Sequence, residues 1–163
     1  MNAQDMDKSS FVQRLLDWYE VHKRALPWRV GRDPYKIWLS EIILQQTRVI
    51  QGLPYYERFL KAYPTVHDLA KATEEEVLHL WQGLGYYSRA RHLHACSRVV
   101  VERFDGYFPR TYEELLKLPG IGPYTAAAIA SMAFGECVPV VDGNVYRVLA
   151  RLFGIEEDMG GQR

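Results

Sequence analysis

Cysteine is scarce in this chain: Cys96 and Cys137 are the two among 163 residues. Two thiols so far apart make neither a disulfide framework nor a zinc knuckle, so each reads as a small buried hydrophobe. Long apolar runs are missing as well. No stretch approaches the ~18 consecutive apolar residues of a membrane span. The polar N-terminus lacks the basic-then-apolar pattern of a secretion leader, so a soluble intracellular protein is expected. Net charge is absent, with 20 Lys+Arg against 20 Asp+Glu. That argues against nucleic-acid binding by bulk electrostatics while permitting a local positive face. Between residues 81 and 110, Arg89, Arg91, Arg98, Arg103 and Arg110 meet only Glu102 and Asp105. Taken alone, this run equally describes a solvated helix surface. No internal repeat or low-complexity tract occurs, and the strand-like stretch 138–141 is short and holds Pro139.

What the chain does have is 48% hydrophobic residues, enough for one core or for two small lobes sharing one. They recur every three or four residues between short Pro, Gly and Asp interruptions, which predicts an all-α fold. Helices are expected at 9–23, 35–49, 54–62, 66–70, 73–81, 88–104, 111–117, 123–134 and 143–153. In the first, Phe11, Val12, Leu15, Leu16, Trp18 and Tyr19 form a stripe expected to be buried, with Ser9 or Ser10 as cap. Pro27 then stops or redirects the chain. The second helix is strongly apolar yet carries Glu41 and Gln45, two polar groups that need a reason to be there. Many brief helices joined by short loops imply an orthogonal array rather than a bundle of long rods.

Three segments carry chemistry. Leu118-Pro119-Gly120-Ile121-Gly122-Pro123-Tyr124-Thr125-Ala126 reads as helix, hairpin, helix: the glycines permit a tight turn, and Pro123 suits the first turn of the following helix. Amides exposed there, at the positive end of a helix, suit a DNA phosphate held for position rather than sequence, which assigns Gly120, Gly122 and Thr125 to it. In Gln82-Gly83-Leu84-Gly85-Tyr86-Tyr87-Ser88-Arg89-Ala90-Arg91, Leu84 or Tyr86 is suited to enter a base stack while Arg89 or Arg91 approaches the backbone. One tyrosine is expected exposed and its neighbour buried. The third signal is a pair of carboxyls. Glu41 lies among apolar residues, which favour a protonated carboxyl, and Asp142 precedes a helix it can cap while ionised. Carboxyls in opposite protonation states are what glycosidic cleavage requires. A salt bridge for Glu41 and simple capping for Asp142 are the plainer alternatives.

Together with Leu26-Pro27-Trp28-Arg29, Trp38-Leu39-Ser40-Glu41-Ile42-Ile43-Leu44-Gln45-Gln46-Thr47 and Val141-Asp142-Gly143-Asn144-Val145, these segments resemble the catalytic part of the A/G-specific adenine DNA glycosylases. That MutY-type family lies within the helix-hairpin-helix DNA glycosylase superfamily. The resemblance covers about residues 10–155. Related thymine-glycol glycosylase/lyases share the hairpin and the aspartate but not the Ser-Glu-x-x-Leu-Gln-Gln-Thr helix. It implies a base excision repair enzyme that hydrolyses the N-glycosidic bond of adenine mispaired with 8-oxoguanine or guanine. On this resemblance Glu41 is the general acid that protonates N7 of adenine and later assists the water. Asp142 stabilises an oxocarbenium-like or covalent sugar intermediate, with net retention, and Tyr124 and Asn144 stand near the sugar and that aspartate. Tyr124 occupies the place where bifunctional relatives keep a Schiff-base lysine, which implies a monofunctional enzyme. Arg29 lines the adenine pocket, while Gln46, Thr47, Leu84 and Tyr86 surround the opposite base and the void left by the flipped adenine. His92 stands where relatives often have asparagine, a modest change in DNA-side contacts.

The same resemblance implies a six-helix lobe at 27–137, with the helix-hairpin-helix at 112–134. An incomplete second helical lobe is formed by the N-terminal helix of 1–26 and by 138–163. Family members carry four cysteines for a [4Fe-4S] cluster and a Nudix-like domain, both absent here on the resemblance. No metal ligand or cofactor is expected in this chain, since Cys96 and Cys137 do not match cluster ligands. The Phe11, Leu15 and Trp18 stripe is then expected to lack packing partners. The implied partner is double-stranded DNA with an 8-oxoguanine:adenine or guanine:adenine mispair, not a membrane. A monomer is expected, with the exposed second-lobe surface as a route to association, in the cytoplasm and at the nucleoid if the source is bacterial. The competing expectation is a truncated, noncatalytic helix-hairpin-helix DNA-binding module, tolerant of changes at Glu41 and Asp142 but not at Gly120 or Gly122.

Overall fold

The computed structural model describes residues 8–156, so the 1–7 and 157–163 portions of the expected second lobe lie outside the described residues. Among the described residues the regular elements are helical: α1 Lys8–His22, α2 Pro34–Leu44, α3 Val49–Ala62, α4 Val66–Lys71, α5 Glu74–Trp81, α6 Ser88–Phe104, α7 Tyr112–Leu115, α8 Pro123–Phe134 and α9 Gly143–Phe153. A 3₁₀ turn occupies Pro27–Arg29. None of these helices is long and apolar enough to cross a membrane. The chain divides into two units, Pro27–Val140 and a second drawn from the segments before and after it.

Within Pro27–Val140, α2 is the central element. Asp33 caps it by accepting from the Tyr35 amide at 3.0 Å, Pro34 sits in its first turn, and seven of its eleven residues are buried. A short helix this buried is held by tertiary packing rather than by propensity. Helices α3, α6 and α8 all pack on it. Ala126, Ala127, Ala128, Ile129 and Ala130 of α8 are all buried, and the small alanine side chains allow close approach of neighbouring helix axes. Elsewhere the core is aromatic. Trp38 meets Phe108 at 5.2 Å, Phe59 meets Trp81 edge-on at 5.8 Å, and Trp28 meets Tyr56 edge-on at 5.1 Å. Capping boxes at Thr65 with Asp68 and Thr73 with Glu76 start α4 and α5, which both pack on α6.

Two boundaries differ from expectation for a shared reason. Helix α2 ends at Leu44 instead of running to 49, and α3 starts at Val49 instead of at Pro54. The chain breaks between them because Gln46 adopts a left-handed φ of +54°. Gly52 then lets α3 pass the end of α2, where an added Cβ would lie 2.7 Å from Leu44 Cδ2. Pro54 falls inside α3 rather than at its start.

In the second unit, α1 and α9 meet through Phe11 and Phe153, edge-on at 6.4 Å. The rest of the stripe is not buried as its periodicity predicts: Val12, Leu15, Leu16, Tyr19 and Trp18, the last 57% exposed, stay open. Helix α9 buries no residue and also leaves Tyr146, Val148 and Phe153 exposed. Periodicity identified a face without identifying what covers it. Cys96 is buried as expected, but Cys137 is exposed, because it follows the left-handed Gly135 cap of α8 in a non-helical segment.

Candidate active site and nucleic-acid interface

The hairpin between α7 and α8 is pinned by its apolar residues. Leu118 and Ile121 are buried and joined by a turn in which the Ile121 amide donates to Leu118 O at 3.2 Å. Gly120 takes φ +71°, and a Cβ there would lie 2.5 Å from the Cβ of His92 on α6. His92 therefore backs the hairpin. Gly122 is the N-cap of α8; it makes no side-chain cap bond, and its missing Cβ would meet nothing within 4 Å. A helix start built this way leaves room for an anion at its amides. Thr125 differs from expectation: it is only 2% exposed, and its hydroxyl accepts from Gln45 Nε2 at 3.3 Å. Its side chain bolts α8 to the end of α2, and its contribution to the hairpin surface is limited to backbone. Tyr124, the second residue of α8, is exposed.

Glu41 is half-buried on α2, one turn before that helix ends. Beyond it the chain turns sharply. The Thr47 amide donates to Leu44 O at 3.1 Å and the Thr47 hydroxyl to Gln45 O at 3.2 Å, which leaves Gln46 exposed. Arg29 is also exposed, on a 3₁₀ turn anchored by buried Trp28.

The turn ahead of α6 is coiled by three positive φ angles, at Gly83, Gly85 and Tyr86. Tyr55 Oη donates to Gln82 O at 2.9 Å, and Trp81 Nε1 donates to Gly85 O at 3.0 Å. This bracing presents Tyr86, which is 68% exposed, and tucks Leu84 beneath it at 6%. Tyr87 is exposed too, so the expectation of one buried tyrosine does not hold. Arg89 also departs from its expected approach to a DNA backbone. Its Nη1 donates to the carbonyls of Ile42 at 3.1 Å, Ile43 at 3.1 Å and Gln45 at 2.6 Å, and its Nη2 to Gly85 O at 3.3 Å. Burial lowers its pKa from the usual guanidinium value. Arg91 pairs with Glu74 at 3.4 Å, with both side chains more than half exposed.

In the second unit, Asp142 caps α9. Its Oδ1 accepts from the Asn144 and Val145 amides, both at 2.9 Å, and its Oδ2 accepts from Asn144 Nδ2 at 3.0 Å. The Val145 amide, Asn144 and nearby Arg147 hold the carboxyl below its ordinary pKa against partial burial, which raises it. Arg147 donates in turn to Asn144 Oδ1. Capping and a catalytic role are compatible here, because the amides that a capping carboxylate accepts from favour its ionised form. Sequence reasoning missed Tyr55 and Trp81, whose partners carry no mark in the sequence. The spacing of Arg147, three residues past Asn144 on one helix face, is a signal that was present.

The helix-hairpin-helix defines a class, and the comparison with known families agrees. Residues 39–162 match the model of the HhH-GPD superfamily of base excision DNA repair proteins, and the chain belongs to that superfamily. Among curated proteins it is similar to the adenine DNA glycosylase of Rattus norvegicus, 50% identical over 161 residues, covering 93% of this chain and 31% of that protein. The chain thus spans about a third of that relative's length. Among solved structures it is similar to a thermostable thymine-DNA glycosylase, with TM-score 0.80 and 34% identity over 86% of this chain and 65% of the other. A non-covalent endonuclease III–DNA complex matches with TM-score 0.71 and 28% identity, covering 88% and 68%.

Proposed function

We propose that this chain is the catalytic part of an adenine DNA glycosylase, acting on adenine opposite 8-oxoguanine or guanine in double-stranded DNA. What supports the reading is the contrast between its two carboxyls, in a stretch half identical to a named adenine DNA glycosylase. Asp142 is capped as an anion, while Glu41 is half-buried on an apolar helix. In this reading Glu41 gives its proton to N7 of adenine, the C1′–N9 bond breaks, and its electron pair leaves with the base. The Asp142 carboxylate stabilises the resulting sugar cation, or bonds to C1′, with Asn144 holding it in position. Glu41 then takes a proton from water as the oxygen attacks C1′, which leaves an abasic sugar with net retention. Tyr124 has no amine for a Schiff base, so the strand is left uncut.

The DNA contacts follow the same reading. The Gly120–Gly122 hairpin and the first-turn amides of α8 hold a phosphate, Tyr86 fills the gap left by the flipped base, and Arg29 faces that base. Gln46 and Thr47 meet the opposite base. Arg91 exchanges Glu74 for a phosphate, since an exposed pair of that kind contributes only about 0–1 kcal/mol. The protein works as a monomer wherever its DNA lies, at the nucleoid if the source is bacterial. A [4Fe-4S] cluster does not fit the donors of this chain: four thiolates are needed and it has two cysteines, of which Cys96 is buried with its thiol pushed up to about 12.

The test is single-turnover release of adenine from a duplex with 8-oxoguanine opposite adenine, by the 163-residue chain and its Glu41→Gln variant. Release by the parent alone, with DNA binding retained in the variant, is the expected outcome. Equal release by both removes the acid role. No release by a folded parent that binds DNA leaves a noncatalytic binding module.

A further inference from the structure

Both terminal nitrogens of Arg89 are engaged before any DNA arrives, while its Nε is buried without a hydrogen-bond partner. The carbonyls of Ile42, Ile43 and Gln45 lie at the C-terminal end of α2, where a helix leaves its acceptors without amides. One nitrogen of Arg89 supplies all three, at 2.6–3.1 Å, and the other reaches Gly85 O in the turn below Tyr86. The rings of Trp81 and Tyr86 flank the guanidinium at 5.1 and 5.8 Å. Among the described residues no carboxylate forms an ion pair with it. Its charge is compensated by the negative end of α2 and by the ring faces. Reaching a phosphate with that first nitrogen would require it to uncap α2.

We propose that Arg89 is a positioning residue of the glycosylase reaction. It fastens the end of the helix that bears Glu41, and the adjoining turn at Gln45, Gln46 and Thr47, to the turn that presents Tyr86. The inference rests on the reading of Glu41 and Tyr86 given above. The acid, the opposite-base turn and the wedge are thereby held as one piece through a planar fork that serves both sides at once. Lysine keeps the charge but has a single nitrogen, so it can cap α2 without also holding Gly85. Movement of Tyr86 into a base stack is transmitted through Gly85 to the α2 end.

The test compares the 163-residue chain with Arg89→Met and Arg89→Lys. Two amides report the two sides of the fork: Thr47, bonded to Leu44 O, and Leu84, bonded to Trp81 O. Arg89→Met is expected to speed hydrogen exchange at both together, while Arg89→Lys restores Thr47 and leaves Leu84 fast. The slope of log Kd for DNA against log salt is expected to stay unchanged in Arg89→Met, whereas loss of a phosphate contact lowers it by about one. Single-turnover adenine release is expected to fall about a hundredfold with DNA affinity little changed, the mark of a misplaced reacting group. Unchanged exchange at Thr47 and Leu84, or a salt slope reduced by one, overturns the proposal. A parent chain that releases no adenine counts against the reaction assigned above, and exchange and slope then decide Arg89 by themselves. Should Arg89→Met fail to fold, the split between Thr47 and Leu84 in Arg89→Lys carries the decision, and equal protection of both in that variant refutes the fork.

Discussion

Two glycines two residues apart differ in what alanine does to stability, though both replacements weaken the proposed DNA contact. Gly122 has an ordinary φ of −88° and open space where a Cβ would go. Gly122→Ala therefore leaves stability unchanged or raises it by about 0.4–1 kcal/mol through the unfolded chain. Its methyl group points into the space that the hairpin reading gives to a phosphate. Losing one hydrogen bond to a charged oxygen costs about 1.5–3 kcal/mol, or roughly a 10- to 100-fold rise in Kd. Gly120→Ala behaves differently: its φ of +71° is left-handed, and its new Cβ would lie 2.5 Å from the root of the His92 side chain, which no rotamer change relieves. Conformational strain of about 1–2 kcal/mol joins overpacking of about 1–3 kcal/mol, so stability and binding fall together. Urea unfolding, with fluorescence anisotropy on a labelled duplex at several salt concentrations, measures both properties. DNA affinity equal to the parent's in Gly122→Ala refutes the phosphate cradle; a loss of stability in that variant refutes the steric argument.

Asp142 makes the pH dependence of α9 predictable. Its folded pKa is depressed, so its capping stabilisation is full above the unfolded value of about 3.9 and is lost as pH falls through the folded one. Asp142→Ala is expected to cost about 0.5–2 kcal/mol at pH 7, and that difference should vanish in strong acid when helix loss is followed by circular dichroism. Ala128→Leu, at a fully buried site on α8, a helix that packs on α2, is expected to cost about 1–3 kcal/mol and, if the strain reaches α2, to slow adenine release by displacing Glu41. Denaturation midpoints and single-turnover rates check this, and an unchanged rate in a destabilised variant separates packing from the acid's placement. Thiol labelling at pH 8 should modify Cys137 and spare Cys96, whose burial pushes its thiol to about 12. Two reactive thiols in the folded chain contradict that burial.

Elements whose ends are made by their own residues were legible. Helices α6, α8 and α9 fall where the sequence predicts, and each is closed by a left-handed residue at its end, Asp105, Gly135 or Gly154. The end of α2 was not legible, because its carbonyls are capped by a side chain more than forty residues away, Arg89. A guanidinium suits carbonyls and phosphates equally well, and only the fold decides which it meets. The cap at Asp142 could be read from the four residues that follow it. Leu84 and Tyr86 could not be separated, since which one faces outward depends on bracing by Tyr55 and Trp81. The stripe on α1 shows the converse failure: a 3.6-residue period marks an apolar face and is silent about its partner.

On the proposed reading, the buried run on α8 bears on how the mispaired adenine would be located. Ala126, Ala127, Ala128 and Ala130 are buried and have no rotamers to change, so along this run α8 itself offers few adjustable side chains. Helix α8 is about 18 Å long at 1.5 Å per residue, begins at the hairpin and packs on α2. On that reading, a phosphate gripped at its first turn would set a distance to Glu41, as the end-stop of a ruler does. Which nucleotide comes under the acid would then be set by counting along the strand from the gripped phosphate, before any base edge is read.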